Sequence, residues 1–243
     1  MNSKKDEKKE GHVRRMFARI SRDYDLMNRL MTFGMDRAWR RFLLSLAGVQ
    51  KGGRLLDVGT GTGLIPWEAL RLDPTLQVTG IDFTAEMIQV GRRRKGSEKI
   101  NWCLADALCL PFPDGIFDAV VSGFLLRNVS DVRSALIEQV RVAKPGGRVV
   151  CLDTSPVQPN FFGPFIKFYL RIIIPFMGRL LTGKGSPYNY LGTTTMNFIK
   201  PEFLMDIMRD AGLEDVTFKG LMFGVITVHW GVRPFLNGDK DKV

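Results

Sequence analysis

The stretch Leu55-Leu56-Asp57-Val58-Gly59-Thr60-Gly61-Thr62-Gly63 decides the fold. An apolar run that takes in an acid, then glycines alternating with threonines, then apolar residues at helical spacing from Leu64 to Leu72, predicts strand, tight turn and helix. Such a turn lies at the carboxyl end of a parallel strand, where open α/β sheets bind their ligands. Gly59, Gly61 and Gly63 let a ligand lie against bare backbone, and the helix beyond them begins with unpaired N–H groups.

What the loop lacks narrows the ligand. A dinucleotide fingerprint counted from Gly59 needs glycine at position 64, where Leu64 stands, and this disfavours a nicotinamide dehydrogenase. A Walker loop needs Lys and then Ser or Thr after its last glycine, and Gly63 is followed by Leu64-Ile65. Asp57 beside the loop suits a ligand with a cationic end better than a pyrophosphate. A second strand, Leu76 to Ile81, ends in Asp82, about twenty residues beyond the loop, where an acid commonly holds ribose hydroxyls. Together these describe a pocket for an adenosine carrying no phosphate and a positively charged tail.

That combination resembles the class I S-adenosylmethionine-dependent methyltransferases, with Asp57 through Gly63 as their glycine motif and Asp82 as their ribose acid. Asp106-Ala107 after a third strand and Pro145-Gly146-Gly147 before a fifth complete the ordered set. The resemblance implies S-adenosyl-L-methionine as cofactor, with Thr62 in the loop, Phe83 packed on the adenine, Asp106-Ala107 beside it and Ser122 at the end of strand four.

With 243 residues the chain makes one large domain or two small ones, on a prior of about 150 residues per domain. The cysteines Cys103, Cys109 and Cys151 show no C-x-x-C spacing and follow no secretory leader, so reduced thiols in a cytoplasmic protein are expected, and no metal site. Net charge +10 favours a polyanionic partner or an anionic membrane surface. The basic residues gather at Lys4 to Arg22, Arg37 to Arg41 and Arg92 to Lys95 without a recognisable nucleic-acid module, so no nucleic acid is expected as partner. Arg92-Arg93-Arg94-Lys95 reads as a solvated helix end.

Residues 1–11 read as a charged, disordered tail, and 12–243 as a single domain. Over 12–50 apolar residues return at helical spacing, predicting a helical cap before the sheet. Its wording is distinctive: Phe17-x-x-Ile20-x-x-x-Tyr24-Asp25-x-Met27-Asn28, then Thr32-Phe33-Gly34, then Trp39-Arg40. Further on come Gly80-Ile81-Asp82-Phe83-Thr84, Leu110-Pro111-Phe112-Pro113-Asp114, Phe124-Leu125-Leu126-Arg127-Asn128-Val129 and Arg141-Val142-x-Lys144-Pro145-Gly146-Gly147. These phrases resemble the ubiquinone/menaquinone biosynthesis C-methyltransferases over nearly the whole chain after the tail. The chain departs from the family's usual wording at Asp36 (often histidine), Leu64 (often aspartate), Leu125 (usually glycine) and Asp153-Thr154-Ser155 (usually glutamate-phenylalanine-serine).

The resemblance implies a Rossmann-like, seven-stranded, mostly parallel sheet with one antiparallel strand and helices on both faces. Periodicity alone gives alternating α and β. Residues 155–198 form an apolar insertion after strand five, in which Pro164, Lys167, Arg171, Pro175 and Arg179 make a spanning helix improbable. A lid over a greasy pocket, a helix lying in the headgroup plane at the inner face of the membrane, or a buried insertion all fit.

Function follows from the resemblance: C-methylation of a polyprenyl quinol, demethylmenaquinol first, with a methoxy-polyprenyl-benzoquinol or another hydrophobic small molecule as alternatives. A non-catalytic cofactor-binding assembly partner ranks last, and a homodimer is compatible with the sequence. Arg127 is the candidate to stabilise a phenolate and Asn128 to orient a hydroxyl or a water, with Tyr24 and Asn28 closing over the site. His12 and His229 read as structural, His229 remaining open as a distant base.

Overall fold

The computed structural model describes residues 3–157, 161–183 and 186–235. Its N-terminal part is α1 (Ser3–Ile20), α2 (Tyr24–Met31) and α3 (Asp36–Ala47). The disordered tail expected over 1–11 is therefore helix from Ser3 onward, while residues 1–2 lie outside the described residues. Lys and Glu, which dominate that stretch, are good helix formers, and Val13, Met16 and Ile20 bury one face of the same helix.

The sheet is built from β1 (Arg54–Val58), β2 (Gln77–Asp82), β3 (Asn101–Leu104), β4 (Phe117–Gly123), β5 (Ala143–Thr154), β6 (Glu214–Leu221) and β7 (Ile226–Val232). Helices α4 (Leu64–Leu72), α5 (Ala85–Arg92) and α6 (Val132–Val142) connect its first strands, and α10 (Pro201–Asp210) precedes β6. The strand order is β3-β2-β1-β4-β5-β7-β6, with β7 antiparallel to both neighbours and every other pairing parallel. This is the expected seven-stranded sheet. Strand order reverses between β1 and β4, so a crevice opens at their carboxyl ends.

Leu55 and Leu56 show why the first strand is apolar on both sides. Successive side chains leave a strand on opposite faces. Leu56 packs with Val120, with Leu136 of α6 and with Leu204 and Met208 of α10, whereas Leu55 packs with Val121, Leu43 of α3 and Ala69 of α4. Both leucines are wholly buried, each contributing ~1.5–3 kcal/mol by removal from water. Pro201 in the first turn and Gly212 just past the end, at φ 101°, set the limits of α10.

The apolar insertion folds into α7 (Gly163–Phe168), a π-helical turn over Tyr169–Ile173, α8 (Ile174–Thr182) and α9 (Ser186–Met196). Pro175 has no N–H to give the carbonyl four residues back, and the helix widens just ahead of it. Leu170, Ile174 and Tyr188 of this insertion form a separate apolar cluster with Met27 and Met31 of α2. The Tyr169 hydroxyl adds a bond to the Met31 carbonyl at 3.0 Å. Cap and insertion thus pack on one another. Among the described residues no helix is long and apolar enough to cross a membrane.

Candidate active site

Gly59, Gly61 and Gly63 all take positive φ, 71°, 56° and 73°, so the chain turns sharply between β1 and α4. A Cβ on Gly59 would lie 2.7 Å from Leu125, and one on Gly63 would lie 2.2 Å from the Trp102 ring. Gly63 is thus demanded by its neighbour's packing. It lines neither of the two cavities that flank the turn.

The larger cavity, about 380 Å³, is bounded by Gly59 to Thr62, by Tyr24 and Asn28 of α2, by Arg127 after β4 and by Phe162, Phe165 and Ile166 of the insertion. The smaller, about 50 Å³, is bounded by Asp82, Phe83, Asp106, Ala107 and Asn128. Gly59 belongs to both walls, so one extended ligand draped over the glycine turn would enter each.

Asp82 is shaped by the backbone around it. Its Oδ2 accepts from Gly61 N and its Oδ1 from Thr84 N, each at 2.8 Å. Each oxygen keeps a lone pair for a further donor, such as a ribose hydroxyl. Burial raises its pKa, and the N–H groups of Thr84 and Gly61 oppose that rise.

Asp57 is more extreme. It is 1% exposed and has no close hydrogen-bond partner among the described residues, the Thr60 hydroxyl giving its carboxylate only weak support. Burial pushes its pKa up to about 8. A buried acid in that condition is protonated at neutral pH and ionises when a cation comes near. Asp57 lines neither cavity wall itself; its loop neighbour Thr60 lines the larger. A nucleoside with a cationic tail fits these residues, with Asp82 open to its sugar and Asp57 buried beneath the turn rather than on either wall.

Ser122 stands in register with Val58 and Cys151, is 1% exposed, and reaches neither cavity; Gly123 lines the larger one in its place. Ser122, expected beside the cofactor, thus lies one residue behind the cavity wall. Asn128 is also displaced from its expected position next to Arg127. It lines the smaller cavity, and its Nδ2 donates to the Phe124 carbonyl at 2.8 Å, bracing a residue held at φ 58°.

Arg127 and Tyr24 do meet in the larger cavity. The Arg127 Nη1 lies 2.8 Å from Asp153 Oδ1, its backbone N donates to Asp153 Oδ2 at 3.2 Å, and its guanidinium lies 5.0 Å from the centre of the Phe124 ring. Burial raises the Tyr24 pKa, and a hydrogen bond from Asn28 and the Arg127 charge oppose it. The Tyr24 hydroxyl therefore stays protonated and can donate.

Other residues of the site carry no signal in composition or spacing. Asp25 accepts from the Thr62 hydroxyl and from Arg94 Nη2, both at 2.5 Å, tying α2 to the glycine turn and to the end of α5. Arg94 also lies 5.7 Å from the centre of the Trp67 ring. The solvated helix end expected at Arg92 to Lys95 is corrected for Arg94, which a partner 69 positions away in sequence holds. His229 is fully buried, its Nε2 is 3.0 Å from the Pro201 carbonyl, and burial depresses its pKa to about 4. It ties β7 to α10 and lines neither cavity, so the option of a distant base falls away.

The model of the ubiE/COQ5 methyltransferase family matches residues 2–233. The chain belongs to this family. It is 47% identical over 221 residues to the ubiquinone/menaquinone biosynthesis C-methyltransferase UbiE of Desulfotalea psychrophila, covering 91% of this chain and 90% of that one. It is 41% identical over 230 residues to a demethylmenaquinone methyltransferase of Roseiflexus castenholzii, covering 94% and 95%. A solved S-adenosylmethionine-dependent methyltransferase of Thermotoga maritima, described as a possible histamine N-methyltransferase, shares the fold with TM-score 0.64 at 20% identity, covering 91% and 100%. The methyltransferase fold expected from the glycine turn is the fold observed, and S-adenosylmethionine is the methyl donor of this family member.

Proposed function

We propose that this methyltransferase moves a methyl group from S-adenosylmethionine to a ring carbon of a polyprenyl quinol, demethylmenaquinol before any other. The observation that carries the reading is the composition of the larger cavity. Its wall combines the glycine turn, Tyr24 and Arg127 with apolar Trp39, Leu152, Ile166 and Phe165, the last 66% exposed. A polar ring carrying a long hydrocarbon tail matches that mixed lining.

The bound cofactor supplies an electrophilic methyl on its sulfonium. The protein's part is to make the acceptor carbon nucleophilic, which happens when a ring hydroxyl loses its proton and charge spreads to the adjacent carbon. A free phenol has a pKa near ~10, so the site must stabilise the phenolate. Arg127, buried and oriented by Asp153, places a fixed positive charge in a water-poor space where such stabilisation is strong. Tyr24 donates a hydrogen bond to a ring oxygen, and Asn28 holds Tyr24 in place. Asp82 would hold the cofactor's sugar and Phe83 and Ala107 its adenine, while Asp57, buried beneath the turn, would act on the cationic end through its field.

The outer face of the insertion completes the picture as a contact with an anionic membrane. Phe161, Phe165, Phe176 and Leu180 are exposed, Phe161 by 80%, and Lys167, Arg171 and Arg179 belong to the same helical run. Rings buried among acyl chains and cations among headgroups would bring the cavity to a substrate that resides in the bilayer.

The test is to incubate purified protein and labelled S-adenosylmethionine with demethylmenaquinol and with 2-methoxy-6-polyprenyl-1,4-benzoquinol separately, under reducing conditions. Label in menaquinol, identified by mass, is the expected result. Label in the benzoquinol alone would transfer the reading to that ring, and label in neither would sink it.

A further inference from the structure

A charge on an apolar cavity wall is costly unless it meets a partner, so the partners of each cation there show what it has left for a ligand. Among the described residues two arginines line the larger cavity, Arg127 and Arg40. Arg127 is fixed by hydrogen bonds to Asp153, and its charge faces the acceptor in the reading above. Arg40 has so far no task. Its Nη1 lies 2.8 Å from Asp36 Oδ2, four positions earlier on α3, and its side chain keeps 14% of its surface open. A guanidinium carries five N–H donors, so one carboxylate leaves several of them to a ligand.

The surroundings of Arg40 say which ligand. Asp36, its partner, lines the same cavity and is braced from behind by the Thr32 hydroxyl, which donates to Oδ1 at 3.2 Å. Gly59 to Thr62 of the glycine turn share that wall. Beneath the turn, burial raises the Asp57 pKa, and the Thr60 hydroxyl and the Arg40 charge oppose the rise, so the field of Arg40 extends to the turn. Sugar and base of the cofactor belong to the smaller cavity, and Gly59 lies on both walls. What crosses the turn into the larger cavity is therefore the cofactor's amino-acid tail. That tail is a zwitterion, and its carboxylate needs donors that Asp57 and Asp82 cannot supply.

We infer that Arg40, held by Asp36, binds the α-carboxylate of the cofactor's amino-acid tail and selects for a donor that carries it. This concerns the methyl donor and goes beyond the quinol reading, since it holds for whichever ring is methylated. It also divides the two arginines of the cavity, Arg40 serving the donor and Arg127 the acceptor. A guanidinium can take a carboxylate through two parallel N–H bonds, so Arg40 fixes the direction of the tail as well as its charge.

The experiment is calorimetry of S-adenosylmethionine and of decarboxylated S-adenosylmethionine, which keeps base, sugar, sulfonium and amine. Wild type is expected to prefer the carboxylated compound by about tenfold or more. Arg40→Met weakens that compound about tenfold without weakening the decarboxylated one, so the preference disappears. Arg40→Lys keeps the charge and loses the fork, and retains part of the preference. Asp36→Asn combined with Arg40→Gln removes both charges at once, leaves no buried carboxylate unpaired, and carries the test if the single variant does not fold. Equal weakening of both compounds in these variants, weakening of neither, or a wild type without preference overturns the assignment. So does a rise in quinol KM at unchanged cofactor affinity, which would give Arg40 to the acceptor. The quinol reading stands or falls on its own product assay, whichever of these results is found.

Discussion

The Arg127 guanidinium and the Asp153 carboxylate form a buried ion pair at 2.8 Å, with side-chain exposures of 7% and 1%. Asp153 also accepts from the Arg127 and Thr154 backbones, so its charge is committed to holding one loop against the end of β5. Removing one member of such a pair leaves the other charged and unpaired, a loss of ~3–5 kcal/mol where the structure does not relax. Arg127→Ala is expected to keep cofactor binding and lose turnover by at least about a hundredfold, the usual scale for a charge-stabilising group. Asp153→Asn keeps the bond to Arg127 and gives a smaller loss in kcat with a lower Tm. Calorimetry with cofactor and a turnover assay separate these outcomes, and loss of cofactor binding in Arg127→Ala would move that residue to the other cavity.

Asp82 has both oxygens tied to backbone N–H groups and still lines the smaller cavity. Asp82→Ala removes the charged acceptor from the sugar and also frees the Gly61 and Thr84 N–H groups. Cofactor affinity is expected to fall by ~1–3 kcal/mol, read by calorimetry. An unchanged dissociation constant would count against its contact with ribose.

Much of this candidate site is legible in the sequence alone. Asp57, the glycine turn, Asp82, Phe83 and Asp106-Ala107 fall in order on consecutive β–α links, and local order along a parallel sheet is what a linear sequence records. Arg127 and Tyr24 carried a phrase specific enough to mark them. What stayed hidden depends on distance across the fold. Asp153 read only as a departure from the usual wording, and it is the partner of Arg127 across 26 positions. Asp25 and Arg94 meet across 69. Asn128 follows Arg127 in the chain yet faces the other cavity, because the turn at Phe124 sends neighbouring side chains to different walls.

Asp25 joins the cap to the sheet through Thr62 and Arg94. The Arg94 and Asp25 side chains are 25% and 30% exposed, so solvent screening limits the pair to about 1 kcal/mol or less. Asp25→Asn is expected to speed cofactor dissociation by at most about fivefold, with the wild-type rate rising toward the mutant's as salt increases. Stopped-flow displacement of bound cofactor measures this. A rate independent of both the substitution and salt would show that the clasp does not restrain the cap.

The exposed rings of the insertion give a physical test of membrane contact. Phe161→Ser with Phe176→Ser removes two large apolar side chains, 80% and 60% exposed, from the surface without touching the wall of the larger cavity. Co-sedimentation with vesicles containing anionic lipid is expected to drop for this variant, and to drop for wild type when neutral lipid replaces the anionic one. Activity toward a short-chain quinol in detergent should survive. Equal sedimentation of variant and wild type would rule these rings out as the anchor.

Asp57 makes cofactor affinity depend on pH. Its folded-state pKa of about 8 lies above the unfolded value of ~3.9, the reverse of the usual carboxylate. Between those values the folded protein binds the extra proton, so without cofactor this group's contribution to stability declines as pH rises, and levels off above about 8. A cationic ligand reverses the preference. It favours the ionised acid, so binding below about pH 8 must release a proton and affinity must climb with pH, by at most about tenfold per unit, up to that value. Calorimetry roughly one to two pH units below that pKa, in buffers of different ionisation enthalpy, counts the proton directly. Asp57→Asn should bind more weakly above pH 8 and lose the pH dependence. A wild-type affinity flat from pH 6 to 9 would mean that Asp57 does not sense the cofactor's charge.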